Sequence, residues 1–276
     1  MPYITNIQNK TATNIFCRDF GQGQPILLIH GWPLNGESWE LQIPALTENG
    51  FRVIVYDRRG FGKSDIPWDA YDYDALASDT HAIIEELGLS NVILAGFSMG
   101  GGEVVRYLTN YGSDKIAKVI LVSSIIPLVA QKADNPDGVP AEKLGEIMQA
   151  LKTDRVAFLQ DFHKNFYNVS MLSKDVSQGR LDADFIVTSQ ASAHATIKAA
   201  EAWGGTDFRP ELKNIQVPVL IVHGDADQIV PIKTAGEQAA KAITHSEYVV
   251  IKDAPHGLNI THAEELNKAM VEFCKR

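Results

Sequence analysis

The stretch that decides the fold reads VILAGFSMGGGEVVRYL, Val92 to Leu108. An apolar run breaks into glycines around one serine, Ser98, and then resumes with helical character. Gly96 to Gly100 fits G-x-S-x-G, between a strand-like run and a helix-like one. A serine at the tip of so sharp a turn needs a backbone with φ above zero, and flanking glycines relieve the crowding. The turn aims Oγ outward. It also leaves the Met99 N–H in the first turn of a helix, where unpaired donors and the dipole favour an anion. Gly101 and Gly102 each cost about 1 kcal/mol relative to alanine in a helix, which predicts close packing of this helix on a sheet.

Outward from that turn, short β-branched runs alternate with longer amphipathic ones. Strands are expected at 25–30 (PILLIH), 51–57, 91–97, 116–124, 218–225 and 247–254, most of them apolar throughout. Helical patterns fall near 36–49, 74–88, 99–111, 233–243 and 262–274. This alternation predicts an α/β fold with a mostly parallel, doubly wound sheet. The runs YITNI and NIFCRDFG read as an N-terminal antiparallel hairpin on one edge. Between Ile125 and Val217 the rhythm stops. There a turn-rich PLVAQKADNPDGVP leads into AEKLGEIMQALK, RVAFLQDFHKNFYN and ADFIVTSQASAHATIKAAEAW, all helical in pattern. The expected organisation is a core of residues 1–124 and 218–276 with a helical cap insertion over 125–217, at the carboxyl ends of the strands where α/β proteins bind ligands. A second helical layer with no substrate contact is the plainer alternative.

A nucleophilic serine needs a base and a group that orients the base, in the chain order Ser, Asp or Glu, His. Asp225 and Asp227 follow the strand at 218–225, and His256 follows the last strand in DAPHGLN. Asp227 lies beyond the strand end and is the expected acid, whereas Asp225 is expected to brace the turn. The other place for the acid, after LVSSIIP, holds serines and no carboxylate. His30 reads as a hydrogen-bonded structural residue, and His81, His163, His194, His245 and His262 as helical or surface residues. His223 with Asp225 and Asp227 has alternate spacing but no supporting ligand cluster, so no metal is expected. The second oxyanion donor is expected from the loop HGWPLNGESWE: Gly31 allows close approach, and Pro33 has no N–H, so the donor is Trp32. FGKSD (61–65) and GQGQP (21–25) lack the glycines of a phosphate loop and of a dinucleotide fingerprint.

Together with YDRRGFGKS, TDFRPEL, HGDADQIVP and APHGLNITHAEE, these segments resemble an α/β-hydrolase over the whole chain. Within that superfamily the chain is similar to the cofactor-free haloperoxidase, perhydrolase and aryl esterase family, with γ-lactamases among its relatives. The triple glycine after FSM, and PHGLN with TH following, are narrower than the superfamily pattern. The resemblance implies Ser98, Asp227 and His256 as catalytic triad, Trp32 and Met99 as oxyanion donors, and no cofactor or metal. It also implies an apolar acyl and alcohol pocket under the insertion, with Ile125, Val129, Phe162, Phe166 and Ile229 on its wall. Phe162 and Phe166, four apart on a helix, read equally well as core. Pro33 is implied beside the same pocket, since relatives strong in perhydrolysis resemble this chain in carrying proline there.

Composition narrows the partners. With 276 residues and 45% hydrophobic content the chain can bury a large core. A net charge of -9 offers no basic patch for nucleic acid and no polybasic segment for an anionic membrane. The start MPYITNIQNKTATN lacks signal-peptide features, no apolar run reaches membrane-span length, and Cys17 and Cys274 lack metal spacing. A cytoplasmic protein with a small-molecule ester or acyl partner is expected, with homo-oligomer assembly left open. The expected function is hydrolysis of small, mostly apolar carboxylic esters through an acyl-enzyme, with perhydrolysis alongside. Alternatives are a peroxide-using haloperoxidase, a γ-lactamase or amidase, and a non-catalytic ligand receptor. Dehalogenase and epoxide hydrolase chemistry need a carboxylate where Ser98 stands.

Overall fold

The computed structural model describes residues 2–8, 11–170 and 176–276. Its strands are β1 (Tyr3–Gln8), β2 (Thr11–Phe20), β3 (Gln24–Ile29), β4 (Phe51–Tyr56), β5 (Val92–Phe97), β6 (Ile116–Val122), β7 (Val219–Gly224) and β8 (Ser246–Ile251). They form one sheet in the order β1-β2-β4-β3-β5-β6-β7-β8. β1 and β2 pair antiparallel, β2 joins β4 antiparallel, and every later pairing is parallel. The N-terminal hairpin therefore sits on one edge, as the alternating pattern predicts.

The registers Ile29↔Gly96, Gly96↔Leu121 and Leu121↔Ile221 align the carboxyl ends of four central strands. The loops that leave those ends are thereby gathered at one edge of the sheet. Both faces are covered: Leu27 and Ile29 enter one apolar cluster, Ile26 and Leu28 the other, as the two-residue period of a strand requires. Every residue of β5 and β7 is buried.

The helices are α1 (Gln42–Glu48), α2 (Tyr73–Glu86), α3 (Gly100–Tyr111), α4 (Ala141–Phe166), α5 (Gln178–Gln190), α6 (Ala193–Gly205), α7 (Gly236–Ala242), α8 (Leu258–Thr261) and α9 (Ala263–Lys275). Two expected helices are broken. The pattern at 36–49 divides into a 3₁₀ turn, Gly36–Trp39, and α1, which places Pro44 in a first turn, where its missing N–H costs nothing. The pattern at 233–243 begins with a short 3₁₀ turn, Ile232–Thr234, before α7, whereas the pattern at 262–274 is the single helix α9, preceded by the short α8.

Between β6 and β7 lie α4, α5 and α6. Asp154 interrupts α4 with non-helical φ −150° and ψ 82°, and its carboxylate accepts the Ala157 N–H at 3.0 Å as an N-cap. The two helical patterns read on either side of that residue thus join at a kink. The third pattern is cut at Ala191, after which Ser192 caps α6 by accepting the Ala195 N–H. Among the described residues no helix is long and apolar enough to cross a membrane.

α3 packs tightly on its neighbours. A Cβ on Gly101 would meet Ser124 Oγ at 1.9 Å, and one on Gly102 the Tyr73 ring at 2.4 Å. The helix-propensity cost of the triple glycine is the cost of that approach. One turn on, fully buried Glu103 binds Arg58 Nε at 2.6 Å through Oε1 and the Tyr56 hydroxyl at 2.6 Å through Oε2. Burial pushes the Glu103 carboxyl above its ordinary range, and the Arg58 charge opposes that rise. Replacing Glu103 by glutamine leaves the Arg58 guanidinium buried without a counter-charge. Glu103→Gln is expected to lose about 3 to 5 kcal/mol of stability in urea unfolding; a loss below about 1 kcal/mol would show that the pair does not carry α3.

Candidate active site

Ser98 leaves β5 in the left-handed region, with φ +52°. Its N–H donates to Val122 O at 2.9 Å, and its own carbonyl accepts Gly101 N–H at 3.1 Å and Ile125 N–H at 3.3 Å. Those main-chain bonds hold the strained turn and leave Oγ to point away from the sheet. His256, in the turn between β8 and α8, reaches Ser98 Oγ with Nε2 at 2.9 Å and Asp227 Oδ2 with Nδ1 at 2.7 Å. A carboxylate only accepts, so the proton lies on Nδ1 and Nε2 is left to accept from the serine hydroxyl. The Phe97 and Phe166 rings flank the imidazole at 5.2 and 5.0 Å between centroids.

Asp227 Oδ1 accepts two backbone N–H groups, from Ile229 at 2.9 Å and Val230 at 2.8 Å. Burial alone would raise this carboxyl, but His256 and His223, with the bonds they form to it, hold it well below the ordinary range. Asp225 is exposed and accepts the Asp253 N–H at 2.6 Å, bracing the turn after β8. The two aspartates thus divide as their positions relative to the strand end suggest.

The Trp32 N–H is oriented from behind. His30 is buried; its Nε2 accepts the Arg58 N–H at 2.9 Å, so its Nδ1 carries the proton and donates to Gly31 O at 2.8 Å. Leu34 N–H donates to the same carbonyl at 3.1 Å, closing a turn in which the Trp32–Pro33 peptide is cis. In the trans Gly31–Trp32 peptide the carbonyl and the N–H point opposite ways. With Gly31 O held inward to His30 and Leu34, the Trp32 N–H faces the other side. A Cβ on Gly31 would come within 3.1 Å of Ser98 Cβ, so only glycine lets this loop lie against the serine. Burial, then the Arg58 charge, holds the His30 imidazole well below its usual range, which keeps it neutral beside that guanidinium.

Ser98, Met99, Trp32 and His256 line a cavity of about 500 Å³. Ile125, Val129, Phe162 and Ile229 stand on its wall, as the resemblance implies. Pro33 and Phe166 do not. Pro33 is buried in the turn, and the wall on that side is the Trp32 indole. Phe158 and Phe162 face the cavity, but eight residues beyond Phe158 the helical ridge has turned through about 80°. Phe166 therefore packs in the core against His256 and Phe97.

Leu144, Ile147, Phe158 and Trp203 also line the cavity and were not singled out from the sequence. Their amphipathic spacing marks helices, but it cannot say which apolar face meets a cavity and which meets core. His163, read as a bland helical residue, is in fact buried, donates Nδ1–H to Leu159 O at 2.6 Å and is lowered by burial. Among the described residues no group of three or more His, Cys, Asp or Glu side chains is placed to hold a metal ion.

A serine on a strand-to-helix elbow, with an aspartate and a histidine arriving from the loops after β7 and β8, is one arrangement of a known fold, and residues 24–263 match the α/β-hydrolase fold family. The chain belongs to that family. Among solved α/β-hydrolase structures it is similar to a bromoperoxidase from Bacillus anthracis, at 42% identity and TM-score 0.95 over 99% of this chain and 100% of that one. It is also similar to an esterase from Exiguobacterium antarcticum, at 33% identity and TM-score 0.94 over the full length of both. A bifunctional esterase/perhydrolase of Acinetobacter calcoaceticus is 35% identical over 278 aligned positions, covering both chains completely.

The depressed Asp227 carboxyl links the site to stability. Its charge stabilises the fold above the ordinary carboxylate range, and that contribution is lost as pH falls through the lowered value. The stability difference between the natural chain and Asp227→Asn, from urea unfolding, is expected to be largest near neutrality and to shrink between about pH 4 and pH 2. A difference that stays constant with pH would mean that the carboxyl titrates as in the unfolded chain.

Proposed function

We propose that this α/β-hydrolase cleaves small, mostly apolar carboxylic esters through an acyl-enzyme on Ser98. The observation that carries the reading is the unbroken path from Ser98 Oγ through His256 to Asp227, at 2.9 and 2.7 Å, on the wall of an apolar cavity. In this reading His256 Nε2 takes the hydroxyl proton as Oγ attacks the ester carbonyl, and Asp227 holds the tautomer and stabilises the imidazolium. The N–H groups of Trp32 and Met99, neither of them donating within the described residues, receive the oxyanion; one such donor contributes about 3 to 4 kcal/mol. His256 then protonates the leaving alcohol, and water, activated by the same imidazole, releases the acid.

Residues 125–217 serve in this reading as a cap on the core of 1–124 and 218–276. Two contacts support that role: the Trp32 indole donates to Thr196 O at 2.9 Å, and Val129, Phe158 and Phe162 supply cavity wall. The acidic charge balance supports a small-molecule partner over nucleic acid or an anionic membrane.

A second reading is favoured by the likeness to the bromoperoxidase. Hydrogen peroxide in place of water would attack the same acyl-enzyme, releasing a peracid and restoring the serine hydroxyl. The peracid then oxidises bromide in solution while being reduced to the carboxylic acid. Acetate-dependent bromination and p-nitrophenyl acetate hydrolysis, measured on one preparation, separate the two by their relative rates.

A fluorophosphonate is expected to label Ser98 and abolish ester hydrolysis, Ser98→Ala to remove both labelling and turnover, and EDTA to leave the rate unchanged. Activity that survives in Ser98→Ala overturns the proposal. Asp227→Asn is expected to lower kcat by up to about 10⁴-fold, and Asp225→Asn to leave it within a few-fold. The reverse ranking assigns the acid to Asp225.

A further inference from the structure

His223, near the end of β7 and four residues before Asp227, is fully buried. Its Nε2 lies 2.9 Å from Val230 O and 3.3 Å from Asp227 Oδ2. A carbonyl only accepts, so Nε2 carries the ring proton and donates it to Val230 O, with the Asp227 carboxylate oxygen lying beside the same N–H. The carboxylate oxygen is the one that also takes the His256 Nδ1–H. On the far side of the ring, Nδ1 has no partner and is pressed against Gly236, where an added Cβ would come within 2.9 Å of it. A buried nitrogen left unsatisfied carries a desolvation cost that an apolar side chain of similar size would not incur. Packing gives no reason for an imidazole here; its polar contacts with Val230 O and Asp227 Oδ2, both in the loop that carries Asp227, do.

We propose that His223 is a positioning residue for the acid of the serine–histidine–aspartate array, an inference that rests on the reading of that array as the catalytic machinery. With His223 in place Oδ1 accepts the Ile229 and Val230 N–H groups, while Oδ2 accepts the His256 Nδ1–H and has the polar His223 N–H beside it, 3.3 Å from nitrogen to oxygen. The N–H beside Oδ2 keeps that oxygen aimed at His256. It also lowers the basicity of the carboxylate, because hydrogen bonds to the charged form favour that form. The His256 ring then keeps its Nδ1 proton throughout acyl transfer, and its imidazolium is not over-stabilised by a fully available charge. Asp227 is the charged group in contact with both rings. Around them Asp225, Lys233 and Lys241 are exposed and Glu237 is half-buried. On the cavity wall Lys143 pairs with Glu146, and Asp161 with Lys164.

The test uses His223→Leu, which removes the donor, and His223→Gln, which keeps an N–H on a side chain of similar reach. Turnover of p-nitrophenyl acetate is normalised to sites titrated with a fluorophosphonate, so that misfolded protein does not count. In His223→Leu we expect kcat to fall about tenfold with KM within about twofold. The acidic limb of kcat/KM should move up by about half a pH unit or more, because Asp227 has become the stronger acceptor for the imidazolium. His223→Gln should restore most of both. His223→Asn, too short to reach Asp227, carries the same expectation as leucine and serves if the leucine variant does not fold. Titrated leucine or asparagine sites that turn over at the wild-type kcat with an unmoved limb overturn the proposal, even where stability has dropped. Failure of the wild-type enzyme to react with the phosphonate would instead remove the underlying reading of Ser98.

Discussion

The left-handed backbone of Ser98 is the constraint on which the rest of the structure depends. It is held by sheet geometry on one side, through Val122 O, and by the start of α3 on the other, through Gly101 N–H. For the turn to be that sharp, α3 must begin at once and lie against the sheet, which is possible only because its first three residues have no side chains. A helix pressed so closely needs a further anchor, supplied one turn later by Glu103. Through Arg58 that anchor extends to the loop that carries Trp32, since Arg58 Nη2 donates to His30 O at 2.6 Å. One buried ion pair therefore fixes the elbow and the loop facing it relative to each other.

The segment between β6 and β7 braces the same site from outside. At the end of α4, Phe166 O accepts the Gly257 N–H at 3.0 Å, next to His256, and the Asn168 amide donates to Ala226 O at 2.7 Å, next to Asp227. From α6, Thr196 O takes the Trp32 indole N–H. The loops that carry His256, Asp227 and Trp32 are each tied to this segment, which also walls the cavity.

The regions where pattern reading stopped short have a common cause. Helical periodicity at 36–49 and 183–203 is correct in kind, but it does not register that Pro44 and Ser192 restart the helix, because each break is set by one local bond or one missing N–H. Phe158, Phe162 and Phe166 share one amphipathic repeat, yet the slow rotation of that repeat divides them between cavity and core. For His223 and His163 the sequence shows the strand or helix they sit on but not their partners. Their burial follows from which strand or helix lies opposite, and that is a long-range property.

From sequence alone, the order of strands and helices, the serine elbow, the aspartate beyond the strand end and the histidine after the last strand were all legible. Each depends on residues close together in the chain, or on a chain order that this topology imposes. Only the tertiary structure decided how the cavity wall is composed, where Pro33 and Phe166 lie, and which groups surround the Asp227 carboxylate. Those outcomes depend on contacts between segments far apart in the chain, such as Trp32 with Thr196 and Phe166 with His256. A local pattern constrains which face of an element is apolar; the packing of the whole chain selects what that face touches.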